Sequence, residues 1–325
     1  MQGNRVDCSA TVNGSGALAL QINNVLEPKN AAAHFVGPDG QLRGETPAGT
    51  SAHLLGRLSN FQGIAFANLP GSSDSVVQTY DDHGKLLAQG PVRGGPAIVV
   101  EDPLGGIAVL QRDGPATVEN YHDAGNLRWS VKLSPRITAI GGFAVDRLGN
   151  TFVMGDTSTF DKSVTAQWIA HDGTASPAFQ LLGPQREWNH LAGRVIVRVG
   201  GGLFVHADEW WQLPSNATAL EAAPAWFIAA HPELMLGMQM VRNGRAYGII
   251  RRGSGPDCAS TVEIVTASGK SCGTASFSAG PACQSASGGL IGYDGTFVQL
   301  RPPPASVCTG GACSCTWQWW TGFFH

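Results

Sequence analysis

The sequence predicts an all-β protein, a single β-propeller domain running from residue 1 to 325, and three observations carry that prediction. Glycine fills 43 of 325 positions while Asp, Glu, Lys and Arg together make only 14%, against about 7% and about 25% in ordinary globular chains. Short β-branched or aromatic runs alternate with glycine-centred turns, the pattern of hairpins. The turns recur at a spacing near 45 residues, which is the length of one four-stranded propeller blade.

Two series of turns justify the elements in order. The first reads "AHFVGPDGQLRG", "VQTYDDHGKLLAQG", "VENYHDAGNLRWS", "AQWIAHDGTASPAF" and "VEIVTASGKSCG", centred on Gly40, Gly84, Gly125, Gly173 and Gly269. In each, glycine supplies the positive φ of a tight turn, and the flanking alternation sends every second side chain to one face. The second series lies between them, near Gly16, Gly63, Gly106, Gly149, Gly202, Gly244 and Gly289, at intervals of 47, 43, 43, 53, 42 and 45 residues. Pairing the series gives seven units of two hairpins. The second hairpins of the fifth unit ("WWQLPSNATALEAAP") and the seventh ("VCTGGACSCTWQWW") are degenerate, so six and eight blades stay open beside seven.

Within the fourth unit, "AVDRLGNTFVMGD" at residues 144–156 resembles the Asp-x-x-Gly-Asn-x-x-Val-x-Gly half-blade of bacterial β-propeller repeat proteins. With its Cys-rich, Trp-ending tail, the layout is similar to exported or lipid-anchored propellers of bacteria with large genomes. That resemblance implies the fold and an extracytoplasmic setting; it carries no catalytic residues.

Composition excludes several classes. A net charge of −3 with scattered Lys and Arg offers no basic stripe for a phosphate backbone, so nucleic acid is not an expected partner. The most apolar window, residues 222–240, is broken by Pro224, His231, Pro232 and Glu233, so no transmembrane segment is expected. The first twenty residues lack the basic-then-apolar pattern of a signal peptide. Seven cysteines, three of them crowded at Cys308, Cys313 and Cys315, argue for an oxidising compartment, and hence for export as a monomer with its signal absent from this sequence. Cys308 and Cys315 stand symmetrically about Gly311–Ala312, as hairpin partners should; Cys258 and Cys272 are more roughly opposed, and Cys8 could join Cys283. A cysteine metal site is the weaker reading, because Cys313-x-Cys315 lacks the two-residue spacing of zinc hairpins.

The pentapeptide "HLLGR" at 53–57 returns as "HLAGR" at 190–194. Both fall where the innermost strand of a blade should begin, in units two and five, so His53 and His190 would face one another across the channel mouth. His231 in "AAHPELMLGMQM" enters the sixth unit less well aligned. Three neutral imidazoles there would suit a divalent ion such as zinc, manganese or calcium, which lowers the pKa of bound water to about 7 and polarises an ester or phosphoester oxygen. The expected function on this reading is a metal-dependent hydrolase of an ester, lactone or phosphoester. Asp156 would be the general base, Asp208 a second acid and Arg251 an anion-binding group; Asp113, Asp161, His206 and Glu209 belong to the same predicted face. The rival reading makes the pentapeptide a blade consensus surviving in two units, and the protein a non-catalytic propeller that binds a protein or glycan on one face.

Other motifs are weaker. "SGKS" at 268–271 lacks the glycine a phosphate loop needs, having Ile264 in its place. No Gly-x-Ser-x-Gly elbow occurs. "DEWWQL" at 208–213 could stack a sugar, but tryptophans also fill the wedges between blades, and "CTWQWWTGFFH" fits the outer strand of the last blade. Asn13-Gly-Ser and Asn216-Ala-Thr match the glycosylation triplet.

Overall fold

The computed structural model describes residues 6–24, 32–47, 53–56, 61–65, 75–92, 97–111, 115–123, 125–156, 163–182, 195–206, 209–229, 235–241, 244–252, 260–277, 289–301 and 316–320. The first sheet is β1 (Val6–Val12), β2 (Leu18–Asn24), β3 (Ala32–Val36) and β4 (Leu42–Pro47). The second is β5 (His53–Gly56), β6 (Phe61–Ala65), β7 (Ser75–Tyr80) and β8 (Leu86–Val92). The third is β9 (Ala97–Glu101), β10 (Ile107–Gln111), β11 (Thr117–Tyr121) and β12 (Leu127–Lys132). The fourth is β13 (Ala139–Val145), β14 (Thr151–Asp156), β15 (Val164–Ile169) and β16 (Phe179–Leu182). The fifth is β17 (Val195–Val197), β18 (Leu203–His206), β19 (Trp210–Leu213) and β20 (Glu221–Ala222), followed by the short helix α1 (Ala225–Ala229). The sixth is β21 (Met235–Val241), β22 (Ala246–Arg252), β23 (Ser260–Thr266) and β24 (Ser271–Phe277), and the seventh β25 (Gly289–Ile291), β26 (Phe297–Arg301) and β27 (Thr316–Trp320).

Every sheet is built of chain neighbours, and every strand pair with a described register is antiparallel. The chain is thus all-β, with a propeller arrangement of small antiparallel sheets. Five sheets have four strands of at least four residues; the fifth ends in the two-residue β20 and the seventh has three described strands. Those two are the units whose second hairpins looked degenerate in the sequence.

The chain divides into two compact units. One comprises Met1–Asn68, Val76–Gln89 and His231–His325; the other comprises Leu69–Ser75 and Gly90–Ala230. Inside the first, the opening strands of successive sheets lie side by side, β21 against β25, β25 against β1 and β1 against β5. Inside the second, β9 lies against β13 and β13 against β17. The first strand of each sheet is therefore the inner one, as a propeller requires.

One turn recurs in ten hairpins among the described residues. The N–H of its first residue donates to the carbonyl four residues on, and the N–H of the fourth residue, always glycine, donates back. Asp146, for example, donates to Asn150 at 2.8 Å and Gly149 to Asp146 at 3.0 Å. This is a type I turn closed by a left-handed glycine bulge; Gly149 has φ of 81°, where a Cβ would be strained. Two turns differ from the sequence expectation. Gly63 lies inside β6 and Gly289 opens β25, while the seventh-sheet turn is Gly292–Thr296 with Gly295 at φ 88°. A glycine within a strand and a glycine in a turn look alike in sequence; only the following Asp294-Gly295 marks the real bend.

Apolar wedges fill the space between successive sheets. Phe152, Met154, Trp168, Leu203 and Val205 join the fourth sheet to the fifth, and Leu110, Val118, Phe143 and Val153 the third to the fourth. In the other unit, Phe277, Phe297 and Trp320 form the wedge of the sixth and seventh sheets. Within the Trp-rich tail, β27 is the last described strand of the seventh sheet and pairs with β26.

The half-blade motif that carries the resemblance has a structural task. Asp146 is fully buried. Its Oδ1 accepts the Leu148 and Asn150 N–H groups, both at 2.9 Å, and its Oδ2 accepts the Gly202 N–H at 3.0 Å and the Ser215 hydroxyl. One carboxylate therefore fixes its own turn and ties the fourth sheet to the fifth. Asp102 is the counterpart in the third sheet, accepting from Leu104, Asn120 and Arg128. "SGKS" proves to be another such turn, with Gly269 at φ 83°, not a strand-to-helix loop. Asn13 is fully buried with its Oδ1 capping its turn, which removes it as a glycan acceptor.

Candidate functional site

The tight turns occupy one end of each sheet, and those of the third and fourth sheets hold the buried Asp102 and Asp146. At the opposite end run the links between middle strands and the connections from one sheet to the next. The described cleft lies there, in the second unit, between the third and fourth sheets. Its volume is about 590 Å³, and its walls come from Pro115 and Ala116 before β11, from the β12–β13 connection, and from the first residues of β13.

The connection "LSPRIT" is shaped from within. The Leu133 N–H donates to the Ala116 carbonyl at 2.9 Å, prolonging the β11–β12 pairing by one residue. The Ser134 N–H donates to the buried Gln167 Oε1 at 3.0 Å, and Gln167 in turn donates from Nε2 to the Ser176 carbonyl at 2.8 Å. Pro135 then bends the chain, and Ile137 donates to Ser134 at 3.0 Å. Leu133 and Ile137, each 4% exposed, sink into the core. The floor is therefore apolar, while Lys132, Ser134 and Thr138 bring one cation and two hydroxyls to the walls.

Among the described residues expected to carry function, Asp156 has its backbone beside this cleft. It ends β14, and its Cα partner on the inner strand is Ala139, one of the wall residues. The approach is tight: a Cβ on Gly155 would sit 2.4 Å from the Ala139 carbonyl, so glycine is needed there. Arg251 is engaged elsewhere, its guanidinium 2.6 Å from Glu263 Oε2 on the neighbouring strand. His190, His231 and Asp208 lie outside the described residues, as do Asp113, Asp161, Cys258, Cys283, Cys308, Cys313 and Cys315. Cys272 is an exposed free thiol.

His53 is the first residue of β5, the inner strand of its sheet. The second pentapeptide is displaced relative to the first. His53 precedes the Gly56–Phe61 pair that ends its hairpin by three residues, whereas His190 precedes the corresponding Val197–Leu203 pair by seven. The four shared letters thus stand at different distances from the pairs that close their hairpins. Among the described residues no three His, Cys, Asp or Glu side chains gather closely enough to hold a metal ion.

The aromatic motif at 208–213 is a packing element. Trp210 is buried, its ring 5.3 Å from Phe227 of α1 and 4.7 Å from His206, and Phe227 stacks on Phe204 at 3.9 Å. The Trp210 Nε1 and His206 Nδ1 atoms are buried and have no hydrogen-bond partner among the described residues. Trp168, by contrast, donates from Nε1 to the Ala217 carbonyl at 2.8 Å.

Among the described residues, two groups are shifted from their ordinary range. Burial raises the Tyr80 phenol, whose hydroxyl donates to Gln78 Oε1 at 2.7 Å. Hydrogen bonds from the Thr174 backbone and hydroxyl lower the exposed Asp172 carboxyl.

No protein family model and no curated protein matches the chain. Among solved structures, a protein of unknown function from Bacteroides caccae is 13% identical over 84% of this chain and 82% of its own, with a TM-score of 0.37. A structure described as the eukaryotic initiation factor is 9% identical over 94% of this chain and 83% of its own, with a TM-score of 0.44. Among the described residues no helix is long and apolar enough to cross a membrane.

Sequence reasoning missed Lys132, Ser134 and Thr138. Nothing in "KLSPRIT" departs from an ordinary polar connection, and Pro135 was the only signal that the chain bends there.

Proposed function

We propose that the protein is a non-catalytic, extracytoplasmic binding propeller, and that the cleft between the third and fourth sheets receives an apolar group of a protein partner. The carrying observation is the cleft itself: a space of about 590 Å³ with an apolar floor and few polar groups on its walls, the build expected of a recognition pocket. The hydrolase reading needs His53, His190 and His231 to converge with Asp156, Asp208 and Arg251, and Arg251 is already paired with Glu263. The extracytoplasmic setting rests on the seven cysteines, three of them crowded at Cys308, Cys313 and Cys315.

The test uses 1-anilinonaphthalene-8-sulfonate, an apolar probe whose sulfonate suits Lys132. Saturable fluorescence enhancement should be lost in Ile140→Asp, with the far-ultraviolet circular dichroism unchanged. Enhancement that survives in the variant would remove the cleft as the binding site. Turnover of p-nitrophenyl esters or bis-p-nitrophenyl phosphate that disappears in His53→Ala would instead restore the hydrolase.

A further inference from the structure

We propose that the natural occupant of the cleft is an extended acidic peptide segment, which adds as a fifth strand to the open edge of β12 and lowers an apolar side chain into the cleft. The inference rests on the cleft reading above and supplies the partner's chemistry.

The edge is open and points the right way. β12 is the last strand of its sheet, with β11 as its one neighbour among the described residues. Leu133 donates to Ala116, and antiparallel pairs alternate between bonded and non-bonded. Val131 and Trp129 therefore direct their backbone groups to β11, while Ser130 and Lys132 direct theirs outward. Both outward residues are exposed. The one irregularity in this pair falls between Asn120 and Tyr121, at the far end of β12; the half beside the cleft keeps regular pairing. Two consecutive outward residues offer up to four backbone hydrogen bonds, which is how strand addition holds a peptide, while a neighbouring pocket reads one side chain.

Charge selects among extended peptides. Lys132 on the cleft wall and Arg136 in the connection are exposed cations, and the residues lining the cleft include no Asp or Glu. Lys132 also defends the edge against indiscriminate pairing, so a partner must neutralise it. Glutamate beside an alternating valine or leucine meets both demands.

The test titrates the full chain with a six-residue blocked peptide alternating glutamate with valine or leucine, followed by calorimetry and amide exchange. Saturable binding is expected, with new protection at the Ser130 and Lys132 amides. N-methylation of alternate peptide nitrogens should weaken binding roughly tenfold or more, since it removes two hydrogen bonds. A lysine-for-glutamate peptide should bind poorly to wild type and recover on Lys132→Glu/Arg136→Glu, a gain that a misfolded variant could not give. Equal binding of the N-methylated peptide, or unprotected Ser130 and Lys132 amides, overturns strand addition. Failure of the peptide alongside Ile140-dependent dye binding overturns this inference and leaves the cleft reading standing; failure of both removes both.

Discussion

Replacing Asp146 with Asn tests whether one buried carboxylate joins the fourth and fifth sheets. The Oδ1 atom and its two turn bonds to Leu148 and Asn150 survive the change. The Oδ2 atom becomes an amide NH2 facing the Gly202 N–H, which it had accepted at 3.0 Å. The Ser215 hydroxyl can rotate to accept from the new donor; the Gly202 N–H cannot. A buried donor left without an acceptor costs about 1–3 kcal/mol, and removing the charge recovers part of its desolvation cost. We expect a net loss of about 2 kcal/mol for Asp146→Asn. Asp146→Ala, which also strips the turn, should lose about 3–5 kcal/mol. Asn13 shows that this turn tolerates Asn: its Oδ1 accepts the Ser15 and Ala17 N–H groups at 3.0 Å while its Nδ2 is buried with no partner among the described residues. The assay is native-state hydrogen exchange read at the Gly202 and Asn150 amides, which resolves local opening where a global midpoint would average over two units. An Asn variant whose Gly202 amide exchanges as slowly as wild type would refute the reasoning.

Other consequences are as direct. Trp168→Phe should cost more than Trp210→Phe, by about 1 kcal/mol, because only Trp168 loses a hydrogen bond; urea midpoints of the two variants check this, and equal losses would contradict it. The raised Tyr80 phenol ionises more readily in the unfolded chain. Its contribution to stability should therefore be complete below about pH 10, the ordinary tyrosine value, and be lost as pH climbs through the higher folded value; Tyr80→Phe should flatten that alkaline decline in a melting series. Elemental mass spectrometry of metal-supplemented protein should find no near-stoichiometric zinc, manganese or calcium. Metal that vanishes in His53→Ala/His190→Ala would overturn the binding-module reading.

The hairpins were legible because their signals are local. Gly40, Gly84, Gly125, Gly173 and Gly269 were all located from neighbouring residues, and each adopts positive φ. The irregular fifth sheet, which ends in the two-residue β20, was legible for the same reason, as turn signals weakened. The repeated pentapeptide shows the limit of a local signal: matching letters imply equal position only if the register is equal, and His53 and His190 stand at different sequence distances from the closing pairs of their hairpins.

By itself the sequence determined the all-β class, the blade period and most of the turns, since a glycine bulge and the alternation of a strand are settled within a dozen residues. Tertiary structure decided that Asp146 would reach Gly202 and Ser215, 56 and 69 residues away, and that Lys132, Ser134 and Thr138 would share one cleft with Pro115. Those meetings depend on how two sheets splay apart at one end, and splay is set by the packing of whole faces, a property that no short stretch of chain encodes.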